Sequence, residues 1–436
     1  MLAAPSSPML VSVSAVVPRL DPGVPAGVAW EGEVAGLLAR LAAVPDPRSP
    51  QGLRYRLSTL LGIVVCAMTG SGHDSLVSVG EWCQRASPEQ LGRLGVPVDP
   101  FTGRRRVPSE RTLRDALARV DPAALTRAGF AYLRPLIARA TVTSRQAHAP
   151  DGVGEREQRR AQRAAQQAGP GRKRRQAYAV DGKYLRGARR PDGSRVMVLS
   201  AVRHGDGVSI AAREIAAKTN EIPEFAPLLN QIHDADLEDA VVSADAMHAQ
   251  RIHANYLVNE RGAHYLLTVK NNQPNLARQL QALPWKQVPV LHRQTGRGHG
   301  RQEQRLVQAV TVKDLLFPHA RQVLRIQRRR RKLGAKRWST ETVYAITDLT
   351  AEQATIEELA TWARGHWTVE NTVHWVRDMT FGEDASQVRT RNTPAALASI
   401  RDLIRGALHL AGHANIASGR RAHTNPDQVL TLYQIE

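Results

Sequence analysis

The sequence predicts an α+β fold: an all-helical N-terminal region, then a mixed sheet with helices and a β-rich insertion. Three observations carry that reading. Over residues 36–140 the apolar residues recur at helical spacing, as in Leu57, Leu60, Leu61, Val64, Val65 and Met68. From Ala177 they fall instead in short strand-like runs bounded by turn residues. After that change the order is hairpin strands, then helix, strand, helix, strand, which is an α+β order with a mixed sheet.

The elements follow in turn. Residues 1–35 are rich in Ala, Val, Pro and Ser and are expected to form a poorly ordered leader. After the Leu57–Met68 helix, Asp74 and Ser75 can cap a second helix reaching Trp82, and Pro108-Ser109-Glu110 opens a third carrying Leu113 and Leu117. Arg104, Arg105 and Arg106 just ahead of it could meet phosphates or could form a solvated turn; the sequence favours neither. Residues 141–176 are a low-complexity stretch of Gln, Arg, Ala and Gly ending in GRKRRQ. With few large apolar residues it cannot build a core, so it is expected to be a basic linker.

The mixed-sheet domain is expected over residues 177–412. Ala177–Asp181, Val196–Arg203 and Val208–Ala212 read as strands, the last two joined by the turn His204-Gly205-Asp206-Gly207. Pro223–Ile232 reads as a helix, Ala240–Ala244 as a strand, Ala249–Asn259 as a helix and His264–Val269 as a strand. About 285–340 alternates polar and apolar runs around Gly296, Gly298 and Gly300, and holds five consecutive cations from Arg328 to Lys332. It reads as a β-rich insertion with a basic face. Val343–Thr347 is a further strand. Thr350 with Gln353 resembles a capping box opening a long helix that carries Glu370. Pro394–Leu410 is an apolar helix, and residues 413–436 are a weakly patterned tail.

Composition narrows the function. At 436 residues the chain has room for two or three domains. Lys plus Arg number 60 against 40 for Asp plus Glu, a formal charge of +20 that points to a polyanion, with nucleic acid as the first reading. Two cysteines, Cys66 and Cys83, lie in apolar helical segments and read as buried, reduced thiols. No Cys/His spacing suits zinc and no phosphate-binding G-x-x-x-x-G-K-[ST] loop occurs, which argues against an ATPase. The first residues make a poor signal peptide and the longest apolar run, Leu57–Met68, is too short to span a bilayer, so a cytoplasmic protein with no membrane partner is expected.

Three carboxylates are the candidate chemistry. Asp181, followed by Gly182 and Lys183, ends the first predicted strand; Asp-Gly is also a common hairpin turn. Asp245 ends the strand AVVSAD, where it could equally cap the following helix. If those two strands are neighbours, two carboxylates lie side by side and repel unless a cation sits between them. Trp367, Glu370, His374 and Arg377 fall at i, i+3, i+7 and i+10 and share one helical face; Glu370 could instead pair with Arg377 or Lys183. Three such carboxylates suit Mg²⁺, a hard ion bound by carboxylate, water and phosphate oxygens. Two ions could clamp the attacking and leaving oxygens of a phosphoryl transfer.

Five stretches then carry a resemblance: DGKYLRGARR (Asp181–Arg190), SADAMHAQ (Ser243–Gln250), LLTVKNNQPNL (Leu266–Leu276), HGRQEQR (His299–Arg305) and RGHWTVENTVHWVRDMTFGEDASQVR (Arg364–Arg389). In this order they resemble bacterial insertion-sequence transposases of the H-repeat-associated (ISAs-type) group in the Asp-Asp-Glu superfamily. Asp46–Leu117 resembles that group's helical N-terminal domain, and the whole likeness covers most of residues 37–412. The resemblance implies a ribonuclease-H-like core and a metal-binding, catalytic triad of Asp181, Asp245 and Glu370 with Mg²⁺ or Mn²⁺. It implies as partners the DNA ends of an element and a target DNA, and a homodimer on DNA. DNA contacts are expected from Lys183, Arg186, Lys270, Asn272, Gln273, Arg301, Arg305, His366, His374 and Arg377. The superfamily's Tyr-Arg-Glu-Lys signature departs here, with Ala363, His366 and Arg377 at the Tyr, Arg and Lys positions. A stand-alone metal-dependent nuclease and an inactive DNA-binding remnant are the rival readings.

Overall fold

A computed structural model of the chain describes residues 35–146, 175–190, 193–216, 219–298 and 300–436. The leader up to residue 34, residues 147–174 of the expected linker and His299 of the HGRQEQR stretch lie outside the described residues. Nine strands form one mixed sheet: β1 (Ala177–Arg189), β2 (Arg195–Arg203), β3 (Ser209–Ile215), β4 (Val241–Ala244), β5 (His264–Val269), β6 (His292–Gly298), β7 (Arg301–Thr311), β8 (Gln322–Lys332) and β9 (Ser339–Thr347). Their order is β3-β2-β1-β4-β5-β9-β8-β7-β6. β1 runs parallel to β4, and β4 parallel to β5, whereas β1 to β3 and β5 through β9 to β6 pair antiparallel. The strands expected as an insertion therefore extend the same sheet from its β5 edge.

Central strands read as continuous apolar runs because both their faces are covered. β4 is buried at every residue, and β2 at all but its ends. One side packs on the helices Glu221–Leu229 and Pro274–Ala282, through Phe225, Leu228 and Leu280. The other receives the helix Ile356–Val369 through Leu359 and Trp362. That helix begins later than the sequence suggests. Thr350 and Gln353 do form a reciprocal cap, but Thr355 and Glu358 form the one at the helix start.

The helices before the sheet include Leu57–Thr69, Leu76–Arg85, Glu110–Arg119 and Pro122–Gln146. Ser75 and Ser109 cap two of them, accepting from the backbone N–H three residues on. Their apolar cluster is shared with Thr393–Leu410, a helix buried on every side through Leu408, and it encloses both cysteines. The tail is folded, contrary to its weak pattern. Ile416–Ala422 and Pro426–Leu432 are helices, and Tyr433 is fully buried with its hydroxyl 2.8 Å from Thr69 Oγ1. Tyr132 Oη donates to the Leu432 carbonyl at 2.7 Å. These short helices hold because the N-terminal helices cover them, a long-range effect that no local periodicity reports. No helix of the described residues is long and apolar enough to cross a membrane.

Candidate active site

Asp181 does not end a strand. β1 continues for eight residues beyond it, to Arg189, so the Asp-Gly pair is mid-strand, with Asp181 opposite Ser200 of β2. Its other neighbours crowd Gly182: a Cβ would stand 2.5 Å from a Glu221 carboxylate oxygen, so a larger residue would have to displace that side chain. β4 is the parallel neighbour of β1 and ends one residue before Asp245, which brings the two aspartates to adjacent strands. Glu370 arrives from the helix Ile356–Val369 packed across them, with Val369 and Val373 seated on Ala179 and Val202.

The three carboxylates feel one another. Burial pushes the Asp181 carboxyl up to about 7, helped by the charges of Glu370, Glu221 and Asp245 and opposed by the Gly182 N–H that donates to its Oδ1 at 3.0 Å. Glu370 is raised by desolvation and by Asp245, with Lys270 opposing. At Asp245 desolvation is outweighed by the Ala246 N–H and by Lys270, whose Nζ donates to Oδ1 at 3.2 Å, and the pKa falls below the usual carboxylate value. Among the described residues no group of three or more His, Cys, Asp or Glu is arranged to hold a metal ion. The donor set nevertheless has the right chemistry: three hard carboxylates, two of them with suppressed ionisation in the absence of a cation.

The remaining predicted residues divide by exposure. Arg186 is exposed beside Asp384, and Lys270 projects at the end of β5. Asn272 and Gln273 spend their amide N–H groups on the chain itself, donating to the Ala246 carbonyl at 2.6 Å and the Ala249 carbonyl at 3.0 Å, so they brace the loop after Asp245. Lys183 is nearly buried, 2.7 Å from Asp378. Arg301 and Arg305 lie on β7, where Arg305 donates to Glu303 at 2.8 Å.

Three members of the Glu370 segment turn inward, which corrects the expectation that they meet DNA. His366 is buried, its Nδ1 3.4 Å from Ser243 Oγ, and burial lowers its pKa to about 4. His374 lies against Asp181, with Nδ1 3.6 Å from Oδ2, and burial together with Arg377 and Lys183 lowers it to about 3, so it is neutral. Arg377 is 1% exposed and is held by Glu383 at 3.0 Å and Asp402 at 3.3 Å. His366 lies in the regular helix and faces Ser243, whereas for His374 and Arg377 the cause is a change of winding. From Glu370 the helix widens to i→i+5 bonding, with the Trp375 N–H donating to the Glu370 carbonyl and the Phe381 N–H to that of Val376. Spacing by 3.6 residues per turn therefore mis-assigns the faces past Glu370.

Two family models match the chain: DDE_Tnp_1-associated over residues 38–133, and Transposase DDE domain over residues 172–401, a span that contains all three carboxylates. The chain belongs to the Transposase DDE domain family. Among curated relatives, "Putative transposase YncI" of Escherichia coli O157:H7 is 24% identical over 400 residues, covering 85% of this chain and 86% of that protein. "H repeat-associated putative transposase YhhI" of Escherichia coli strain K12 is 23% identical over 395 residues, covering 85% of this chain and 89% of the relative. A solved structure, the cryo-EM piggyBac transposase synaptic complex with hairpin DNA, aligns at a TM-score of 0.36 and 10% identity over 91% of this chain and 77% of that one, too distant a likeness to bear on function.

In this transposase-family chain several residues around the carboxylates escape sequence reasoning. Ser243, two residues before Asp245, sits between two imidazoles: His204 Nε2 at 2.9 Å and His366 Nδ1 at 3.4 Å. The group pins the Glu370 helix onto β4. Gly365 makes it possible, since a Cβ there would stand 2.3 Å from His204 Nδ1. Ala in a helix interior is worth about 1 kcal/mol over Gly, whereas overpacking costs about 1–3 kcal/mol. Because Ser243 fixes the His204 ring, the clash wins: Gly365→Ala is expected to lower unfolding stability in urea, and adding His204→Ala to restore it. The signal for Gly365 was a helix-interior glycine, which usually marks close packing.

Proposed function

We propose that this chain is a transposase that cuts DNA at the ends of an insertion sequence and joins those ends to a target, with Asp181, Asp245 and Glu370 as its catalytic, metal-holding residues. The observation that carries the reading is the placement of three carboxylates, on β1, at the end of its parallel neighbour β4 and on the helical segment packed across them, inside the span matched by the DDE domain. The order β3-β2-β1-β4-β5, with the first three antiparallel and the last two parallel to β1, supports a ribonuclease-H-like core.

The reaction is an in-line displacement at phosphorus. The oxygen of a water or of a DNA 3′ hydroxyl forms the new P–O bond, the opposite ester oxygen leaves, and no covalent protein intermediate is needed. Mg²⁺ or Mn²⁺, as two ions when bound, would activate the attacking oxygen and neutralise the leaving one. The chain's own residues set the stage. The Gly182 N–H holds Asp181 Oδ1, and neutral His374 packs beside Oδ2. Asn272 and Gln273 fix the loop after Asp245. Lys270 offers an ammonium to the phosphate that arrives beside Asp245. Joining two DNA ends calls for two such centres, hence a homodimer on DNA, acting on the bacterial chromosome in the cytoplasm.

The test is a labelled duplex ending in the inverted repeat that flanks the coding region, incubated with the protein and Mg²⁺ or Mn²⁺. Cleaved ends that become joined to a second DNA are expected. Cleavage without joined products would favour the nuclease, and binding without cleavage the inactive remnant.

A further inference from the structure

We infer that the overhanging end of strands β6–β9 grips the sugar–phosphate backbone of duplex DNA, and that it does so on the face carrying Arg293, Arg297, Arg325, Arg329 and Arg331 rather than on the face carrying Arg301 and Arg305. The inference rests on the reading of the chain as DNA-acting and names the surface responsible.

Strand register sorts the charges, because directly paired residues project to the same side of a sheet. On one face Arg305 pairs with Arg328, Glu303 with Arg330, and Arg328 with Glu341. Here Arg305, Arg328 and Arg330 are already answered, with Arg301 and Lys332 paired across the strands beyond them. Glu303 accepts from Arg305 and from Arg328, both at 2.8 Å, and Glu341 stands 3.5 Å from Arg330. The helix Ile356–Val369 covers the base of this face, with Arg364 donating to Gln294 at 2.9 Å. The HGRQEQR stretch therefore contributes an internal ion-pair lattice.

The opposite face differs. Arg293 pairs with Leu306, Arg297 with Gln302, Gln304 with Arg329, and Gln302 with Arg331. Among the described residues of these four strands no Asp or Glu projects on that side; Glu303 and Glu341 both point the other way. Its guanidinium groups are ordered without being neutralised. The Trp338 ring lies 5.3 Å from Arg329 and 4.8 Å from Arg331, and Arg331 Nε donates to Gln302 at 2.9 Å. Glutamines and threonines fill the positions between, a surface suited to phosphate oxygens.

Position brings this end of the sheet near the carboxylates. β5 ends at Val269 opposite Tyr344, yet β9 starts five residues further out, at Ser339, so the extension overhangs by roughly 17 Å. It overhangs on the side where Lys270 and Asp245 stand. A cavity of about 760 Å³ lined by Glu341, Thr342, Tyr344, Lys270, Asn272 and Met247 joins the inner end of β9 to the loop after Asp245. Asp181 and Asp245 alternate onto the other face, beneath the helix Ile356–Val369, so a duplex on the arginine face meets the carboxylates round the end of β5, at Lys270.

The test uses the full chain and a fluorescent 30-base-pair duplex of arbitrary sequence, with anisotropy read across a salt series. The triple variant Arg293→Gln/Arg329→Gln/Arg331→Gln is expected to weaken binding at least about tenfold and to flatten the log–log salt slope by about 2–3, near 0.9 for each phosphate no longer neutralised. Arg301→Gln/Arg330→Gln is expected to stay within about threefold of wild type, and Arg329→Lys/Arg331→Lys to keep most of the affinity because the charge remains. Binding by the triple variant within threefold of wild type, or an equal loss in the Arg301/Arg330 pair, would overturn the assignment of the face. A wild-type chain that ignores the duplex would instead overturn the DNA reading beneath it.

Discussion

Replacing Asp181 with Asn is expected to abolish metal-dependent DNA cleavage while leaving the fold intact or firmer. The carboxyl sits mid-strand on β1, where burial and the charges of Glu370, Glu221 and Asp245 raise its pKa to about 7. An acid with a raised folded pKa contributes most stability at low pH and loses it as pH climbs from its unfolded value towards 7. At neutral pH the wild-type site is therefore electrostatically strained, and the isosteric amide relieves it. Thermal melting without metal should show the variant at or above the wild-type midpoint. Adding Mg²⁺ should raise the wild-type midpoint by mass action and leave the variant's unmoved. Cleavage should fall at least about 1000-fold, since a single preorganised electrostatic group is already worth roughly 100–1000-fold in rate. Retained duplex binding with lost cleavage would place Asp181 in the chemistry. Cleavage at the wild-type rate would remove it, and an unmoved wild-type midpoint would argue that the carboxylates hold no ion.

How much of the fold and site is legible in the sequence depends on the range of the interactions. The strand AVVSAD and its terminal Asp245 can be read because a buried parallel strand is a short apolar run and its end is abrupt. The capping serines at 75 and 109 can be read because a cap is local. Asp-Gly usually turns the chain, which puts Asp181 at a strand end; here Glu221 and Met197 crowd the Gly182 position, so glycine marks close packing across the sheet. Projected on a regular helix, the spacing of His374 and Arg377 places them on the face of Glu370, and the wider turns from Glu370 rotate them inward. The cover over Tyr433 has no sequence signal at all, since it depends on helices about three hundred residues earlier, as the Tyr132 to Leu432 bond shows. The split of the arginines between two faces of β6–β9 needs strand register, which alternation alone does not fix.

The second large effect is expected from Arg377→Met. This guanidinium lies at the centre of a fully enclosed ionic group. Glu383 accepts from Arg377 at 3.0 Å and from Arg401 at 3.0 Å, Asp402 accepts from Arg377 at 3.3 Å, and Arg405 reaches the Gly207 carbonyl beside β3. The sequence carries a hint, since Arg401, Asp402 and Arg405 interrupt an otherwise apolar helix that is buried all round. Replacing a whole buried ion group by apolar residues can be neutral, but removing one partner strands the others, at about 3–5 kcal/mol. Arg377→Met leaves Glu383 facing only Arg401 and leaves Asp402 facing only the more distant Arg405, at 3.6 Å. Urea unfolding should therefore shift by that amount, and the Glu370 segment, anchored through Arg377 to Thr393–Leu410, should lose its hold over β1. Acid offers an independent reading. Burial alone would raise the Glu383 carboxyl, but Arg377 and Arg401 hold it below its ordinary value. With a depressed folded pKa, its contribution is complete above the unfolded value of about 4.3 and drains as pH falls through the folded one. Wild-type stability should thus decline on acidification below about pH 4.3 more steeply than that of Glu383→Gln, which begins lower and has no such charge to lose. Parallel acid profiles for the two proteins, or an unchanged urea midpoint for Arg377→Met, would show that the enclosed charges do not hold this segment in place.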